Sequence, residues 1–262
     1  MEYFASWSGG KDSTATIILA HEHNEPIDGI VFVEVMFDKE ISGELPEHIE
    51  FIDRCKKRFE EWGYPVYVIR GKKTYMEHFN HVCVKGKTKG KVSGFPMAGR
   101  CSINRECKIK PITKFKKDHP DSIWYVGIAI DEPKRLNRLK DDCVSLMEKY
   151  RMTEQQAYEL CEEYDMLSPV YDFANRGGCW FCPNARDKEL RYLRGHHREL
   201  WNKLLDLEKG AGECAGYMWN TLTQTSIHDK EEQFTWEDRQ VRMNIGETHG
   251  IYKQERCTGH IR

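Results

Sequence analysis

A parallel, Rossmann-like α/β sheet with helices on both faces, followed by a mainly helical, cysteine-bearing half, is the fold class this sequence predicts. Three observations carry it. Short apolar runs alternate with helical stripes up to about residue 145. The glycine turn in SWSGGKDS joins a strand-like run to a helix-like one. Beyond residue 150 the strand-like runs cease, and a Cys-x2-Cys knuckle stands between helical stripes.

In order, Tyr3–Trp7 reads as the first strand, and Asp12 or Ser13 opens a helix running to about His23 with Ala15, Ile18 and Leu19 on its apolar side. Ile30–Val35, apolar except for Glu34, reads as a strand buried on both faces. Leu45, Ile49, Ile52, Cys55, Phe59 and Trp62 recur at helical spacing, with Pro46 in the first turn. Val66–Ile69 gives a third strand and Ile123–Ile130 a fourth, separated by an insertion that carries Lys85, Lys87, Lys89 and Lys91 among glycines. That insertion reads as a solvated hairpin tip or a phosphate-seeking basic loop. Thr153 with Gln156 forms a capping box for a helix to Tyr164. A long amphipathic helix is expected from Asp187 to about Lys209, and the polar and aromatic residues after Gly210 show weak periodicity. The expected domains are residues 1–145, a nucleotide-binding α/β unit, and 146–262, a helical region with the knuckle.

Composition narrows the class. The 262 residues hold 40 Lys+Arg against 42 Asp+Glu, 39% hydrophobic and 31% charged residues, which excludes collagen-like, coiled-coil and disordered chains. No apolar run approaches a membrane span, and the first residues show no secretory pattern, so a cytoplasmic protein with no membrane partner is expected. In a reducing compartment the ten cysteines read as core thiols, metal ligands or reactive thiols rather than disulfides. Cys55, Cys143 (with Leu136, Leu139, Leu146 and Tyr150) and Cys161 fall on helical stripes and read as core. Cys101 and Cys107, with Cys179 and Cys182, form two pairs suited to a shared metal, either Zn2+ or a [4Fe-4S] cluster, and spacing does not choose between these. Cys83, Cys214 and Cys257 stay unassigned. Trp180 reads as a shield for the metal, His197 as a core or interface histidine, and His196 as solvated.

The turn carries the chemistry. Gly9 and Gly10 allow close backbone approach, and successive N–H groups at a helix start form an anion nest. Lys11 adds a point charge, Ser8 and Ser13 add hydroxyls, and Asp12 is placed to hold a Mg2+ ion bridging phosphates.

SGGKDS after a first strand resembles the PP-loop of the adenine nucleotide α-hydrolase superfamily, the N-type ATP pyrophosphatases. Asp38 followed by GELPEHIEF, the segment RCSINRECKIKPI and the element GIAIDEPKRL resemble its phosphoadenylylsulfate reductase branch. The resemblance implies ATP in the loop, Lys11, Asp12 and Asp38 as catalytic groups, and Glu132 and Arg135 near the nucleotide. True reductases of that branch carry a C-terminal Glu-Cys-Gly-Leu-His nucleophile and typically lack the loop lysine; this chain keeps Lys11, and its Glu255-Arg256-Cys257-Thr258-Gly259-His260 only loosely resembles that motif. The expected function is therefore an ATP α-hydrolase that adenylates an acceptor for sulfur transfer. The acceptor is a nucleotide, nucleic acid or metabolite, and a sulfur-donor protein and a homodimer are compatible partners. The alternatives are a thiol-dependent phosphoadenylylsulfate or adenylylsulfate reductase using Cys257, and a non-catalytic adenine-nucleotide-binding module.

Overall fold

The computed structural model describes the backbone of residues 1–257 and the side chains of 1–241 and 243. The chain begins with β1 (Glu2–Trp7), α1 (Lys11–Glu22), β2 (Gly29–Glu34), α2 (Pro46–Glu61) and β3 (Val66–Arg70). The insertion that follows holds α3 (Tyr75–Phe79), a π-helical turn at Asn104–Ile109 and α4 (Lys110–Asp118). Then come β4 (Ser122–Tyr125), α5 (Pro133–Leu136), β5 (Cys143–Val144), α6 (Leu146–Lys149) and α7 (Glu154–Glu163). The helices α8 (Asp187–His196), α9 (Arg198–Gly210) and α10 (Ile227–Cys257) complete the described chain.

All five strands pair in parallel, in the order β3-β2-β1-β4-β5, with Ala5 opposite both Ile30 and Tyr125. The order reverses at β1, so the crevice beyond the carboxyl ends of β1 and β4 is the switch point where open α/β sheets take ligands. On one face α1, α2 and α7 share a cluster in which Ile17, Ile18, Phe59, Ala157 and Cys161 have no exposed surface. α7 thus packs under the sheet although it lies beyond residue 145, where the sequence places the end of that unit. On the other face Phe4, Val31 and Trp124 meet Ile112 and Phe115 of α4. A third cluster joins the end of β2, α3 and the knuckle to α8, α9 and α10 through Phe37, Tyr75, Trp180, Phe181, Trp201 and Phe234. Each buried phenylalanine here adds about 1.5–3 kcal/mol. Among the described residues no helix is long and apolar enough to cross a membrane.

The elements depart from expectation in four places. The fourth strand stops at Tyr125 because Gly127 crosses the start of α1, where an added methyl would stand 2.6 Å from the Asp12 carbonyl carbon and the Ser13 nitrogen. Cys143 lies on edge strand β5, not on a helical stripe, since Pro133 opens only a short helix and the chain turns again before it. The helix expected from Asp187 to Lys209 breaks at His197 (φ −129°, ψ 60°) into α8 and α9. The segment after Gly210 contains α10, anchored by fully buried Ile227 and Phe234 and by Arg194, whose guanidinium donates to Glu231, Thr235 and Asp238. Two apolar anchors and a charge cluster leave no continuous stripe to read.

Candidate functional site

The turn after β1 is built for an anion. Gly9 has φ +74°, and a methyl there would fall 2.6 Å from Ile52 Cδ1 and 2.7 Å from His48 Nε2, so only glycine fits. Ser8 N–H donates to Ser13 Oγ (3.2 Å), and that hydroxyl donates to the Gly10 carbonyl (2.9 Å), closing the turn onto α1. The Lys11 N–H donates to Tyr171 Oη at 2.8 Å. Among the described residues the N–H groups of Gly9, Gly10, Asp12 and Ser13 have no protein acceptor, and they gather at the positive end of α1.

Beside this turn opens a cavity of about 460 Å³ at the switch point, lined by Ser8, Ser13, Gly127, Lys116, Arg135 and Arg138 among others. Arg135 contacts both Glu132 oxygens, at 2.6 and 2.8 Å, so these two sequence-expected residues stand together at its edge. The Lys11 ammonium lies 2.7 Å from Asp12 Oδ1 and 2.8 Å from Glu154 Oε2. Burial opposes its charge, but the two carboxylates outweigh that and hold its pKa above the ordinary value. Burial raises the Asp12 carboxyl, with Glu154 and Glu132 adding repulsion that Lys11 only partly offsets. Asp38 is engaged elsewhere: its Oδ1 accepts from the N–H groups of Glu40 (2.9 Å) and Ile41 (2.7 Å), capping its own turn after β2.

The second site is a cavity of about 350 Å³ lined by Cys101, Cys179 and Cys182 together with Lys108 and Arg176. Cys107 does not join them. It is 1% exposed, its Sγ donates to the Lys73 carbonyl at 3.2 Å, and burial pushes its thiol to about 11. The π-helical turn packs its Cα against Gly71, and among the described residues the sulfurs lining the cavity are those of Cys101, Cys179 and Cys182. Among the described residues no three Cys, His, Asp or Glu side chains are gathered around a single ion position. Trp180 is buried, donates its indole N–H to the Ser42 carbonyl (2.9 Å) and packs on Phe37. Cys55 and Cys161 are core thiols, Cys161 donating to the Lys11 carbonyl at 3.3 Å. The side chain of Cys257 lies outside the described residues. His197 bonds Glu47 on α2, with Nε2 3.0 Å from Oε2, and so is an interface histidine. Lys85–Lys91 form the exposed tip of a hairpin closed by the Val82–Val92 bridge.

A run of neighbouring polar groups leads from Gly9 through His48 and Glu44 to Lys108. His48 on α2 is 2% exposed; Nδ1 shares a hydrogen bond with Ser168 Oγ (2.8 Å), while Nε2 faces Gly9 with no bonded partner among the described residues. Glu44 Oε2 lies 3.9 Å from His48 Nε2, and Glu44 Oε1 lies 4.0 Å from Lys108 Nζ. A narrow cavity beside them is lined by Glu44, His48, Arg176, Cys179 and Cys182. Burial lowers the His48 pKa against the pull of Glu44, so the imidazole is neutral.

A family model described as the phosphoadenosine phosphosulfate reductase domain matches residues 2–153. The chain belongs to this family. The parallel sheet and the loop motif place this phosphoadenosine phosphosulfate reductase domain protein in the adenine nucleotide α-hydrolase superfamily, on the reductase-like branch. It is similar to the uncharacterized protein MJ0973 of Methanocaldococcus jannaschii, with 22% identity over 222 residues, 79% of this chain and 47% of that one. The chain therefore spans about half the length of that relative. Among solved structures it resembles a phosphoadenylyl-sulfate reductase from Candida auris in a phosphate complex, with TM-score 0.46 and 8% identity over 69% of this chain and 82% of that one. It also resembles the U34-tRNA thiolase NcsA from Methanococcus maripaludis with its [4Fe-4S] cluster, with TM-score 0.43 and 15% identity over 86% and 78% of the two chains.

Several residues of the candidate site escape a reading of the sequence. His48 has a readable signal, since a polar residue sits on the stripe of Phe51, Ile52, Cys55 and Phe59. Glu44, Lys108, Glu154 and Tyr171 carry none: their neighbours at the site come from segments more than 60 residues away or from irregular chain.

Proposed function

We propose that this protein cleaves ATP between its α- and β-phosphates, transfers the adenylyl group to an acceptor oxygen and lets sulfur displace AMP at that position. The observation that supports this reading is His48, which touches the phosphate loop at Gly9 and lines, with Glu44, the cavity of Cys179 and Cys182. Activation and sulfur delivery would then share one wall.

In the first step an acceptor oxygen attacks the α-phosphorus, a P–O bond forms, and pyrophosphate leaves with the electrons of the broken P–O bond. The free N–H groups of Gly9, Gly10, Asp12 and Ser13 hold the β- and γ-phosphates, and Lys11 and Arg135 neutralise the developing charge. Asp12, with Glu132 and Glu154 near, would hold a Mg2+ ion, which when bound supplies further neutralisation of the pyrophosphate. In the second step a hydrosulfide-level donor forms a C–S bond as the C–O bond breaks and AMP departs.

Cys101, Cys179 and Cys182 would hold a [4Fe-4S] cluster, which when bound supplies soft, sulfur-binding metal chemistry beside the acceptor. A cavity of about 350 Å³ is roomy for one zinc ion, whose ligands all approach to about 2.0–2.3 Å. Lys108 and Arg176 balance the thiolate charge there.

The acceptor of this reading is a nucleotide or nucleic acid. Residues 71–121 carry thirteen Lys and Arg against four Asp and Glu in a chain of net charge −2. The same insertion supplies Pro96, Gly99, Cys101 and Lys108 to the cysteine cavity. Incubating iron-loaded protein with ATP, sulfide and a small-RNA fraction should give RNA retarded on a mercury gel, lost in Cys182→Ser. AMP formation without thiolated product would reduce the reading to plain adenylation.

The family match also favours a second reading, the thiol-dependent reduction of an adenylylated sulfate. Sulfite released from phosphoadenylylsulfate with thioredoxin, and abolished by Cys257→Ser, would replace the first reading by this one.

A further inference from the structure

Tyr75 holds a hydroxyl that no described residue uses. Its side chain has no exposed surface, and its Oη has no hydrogen-bond partner among the described residues. A phenylalanine would fill the same space without burying a polar atom, so the hydroxyl is a cost unless something absent from the protein itself bonds it. The ring cannot swing to find one. Its backbone is fixed where Tyr75 N–H donates to the Met36 carbonyl (2.9 Å), and the Thr74–Glu77 capping box pins the start of α3. Its ring packs 4.2 Å from Phe181 and 5.5 Å from Phe37, centroid to centroid, and Phe37 in turn packs on Trp180. Phe181 and Trp180 are the two residues between Cys179 and Cys182, so Tyr75 lies directly under the knuckle. Cys101 and Cys179 pack against the same buried cluster that holds Tyr75. Tyr75 is therefore a fixed donor within that cluster, and the orphaned hydroxyl belongs to the same neighbourhood as two of the sulfurs of the cysteine cavity.

We propose that Tyr75 is a positioning residue that donates a hydrogen bond to a sulfur atom of the metal-bound state of the Cys101–Cys179–Cys182 cavity. The proposal rests on the reading that these cysteines hold a metal centre. Its consequence is a sign reversal. In the metal-free protein the hydroxyl is unpaired, so removing it relieves a cost; in the loaded protein it is bonded, so removing it breaks a hydrogen bond. A hydrogen bond to cluster or cysteine sulfur also draws negative charge away from the centre, which makes its reduction easier.

The test compares the full chain with Tyr75→Phe, each metal-free and each reconstituted anaerobically with iron and sulfide. Metal-free Tyr75→Phe should melt above the parent, and that advantage should vanish or reverse on loading. The loaded variant should keep the parent's iron content while its midpoint potential moves to more negative values. An equal gain in melting temperature in both states with an unchanged potential would overturn the proposal and leave the cysteine reading standing. If neither iron nor cobalt(II) gives thiolate charge-transfer bands in the parent protein, the cysteine reading fails and the proposal falls with it.

Discussion

His48 and Gly9 are such close neighbours that a methyl group on Gly9 would stand 2.7 Å from the imidazole Nε2. That contact joins the Ser8–Ser13 loop to α2, and two residues before α2 begins stands Glu44, which lines the narrow cavity with Cys179 and Cys182. A single helix face thus positions parts of both sites. Ile52, one turn further along, closes on Gly9 from α2 as well: the same added methyl would stand 2.6 Å from its Cδ1.

Gly9→Ala should be a severe change at a small residue. The left-handed backbone and the two close contacts together should cost about 1–3 kcal/mol or more. Urea denaturation should show the loss, and calorimetry should show ATP binding weakened at least about tenfold, since about 1.4 kcal/mol corresponds to a factor of ten. Parental affinity in a stably folded Gly9→Ala would mean the loop does not hold the phosphates.

The neutral, buried His48 makes stability depend on pH with a definite sign. Its folded pKa lies below the ordinary histidine value of 6.5, so below that pH the unfolded chain binds a proton the folded chain refuses. Stability should therefore be full above about pH 6.5 and decline as pH falls towards the lowered value. Glu44 and Glu47 pull the other way and Lys108 assists, but burial dominates. Melting temperatures between about pH 7.5 and 5.5 should fall more steeply for the parent than for His48→Gln; parallel curves would contradict a buried neutral imidazole.

The cysteines should separate in a serine series. Cys101→Ser, Cys179→Ser and Cys182→Ser should each lose most bound metal after reconstitution, whereas Cys107→Ser should keep it, because that thiol serves the Lys73 carbonyl. Iron and zinc analysis of the four variants checks this. Equal loss in Cys107→Ser would restore the four-cysteine arrangement expected from spacing.

Binding of a polyanion should be strongly salt-dependent. Replacing Lys85, Lys87, Lys89 and Lys91 by alanine should lower the slope of log K against log salt by up to about 3 for single-stranded RNA, near ~0.7 for each phosphate left without its lysine. Filter binding across a salt series measures it. An unchanged slope would make the hairpin tip a solvated turn.

Local chemistry is legible in the sequence and remote chemistry is not. The strand, turn and helix around Ser8–Ser13 lie within one contiguous stretch, so apolar runs and glycines are enough to place them. The Cys-x2-Cys knuckle is legible because its spacing is itself local, whereas spacing does not show that Cys107, on a π-helical turn, faces the Lys73 carbonyl. Asp38 matches a motif, yet its carboxylate closes its own turn. Glu154 reaches Lys11 across 143 positions, and Tyr171 reaches it across 160, with no periodicity to announce either. α10 leaves little trace because it docks by Arg194 and Phe234 rather than by a continuous stripe.

Cleavage of ATP at the α-phosphorus is the central claim, and product analysis tests it most directly. With α-labelled ATP, Mg2+ and a small-RNA fraction, the expected result is labelled AMP with an equal amount of pyrophosphate, slowed about 10²–10³-fold in Lys11→Ala. ADP with orthophosphate, or unreacted ATP alongside sulfite from phosphoadenylylsulfate, would contradict it.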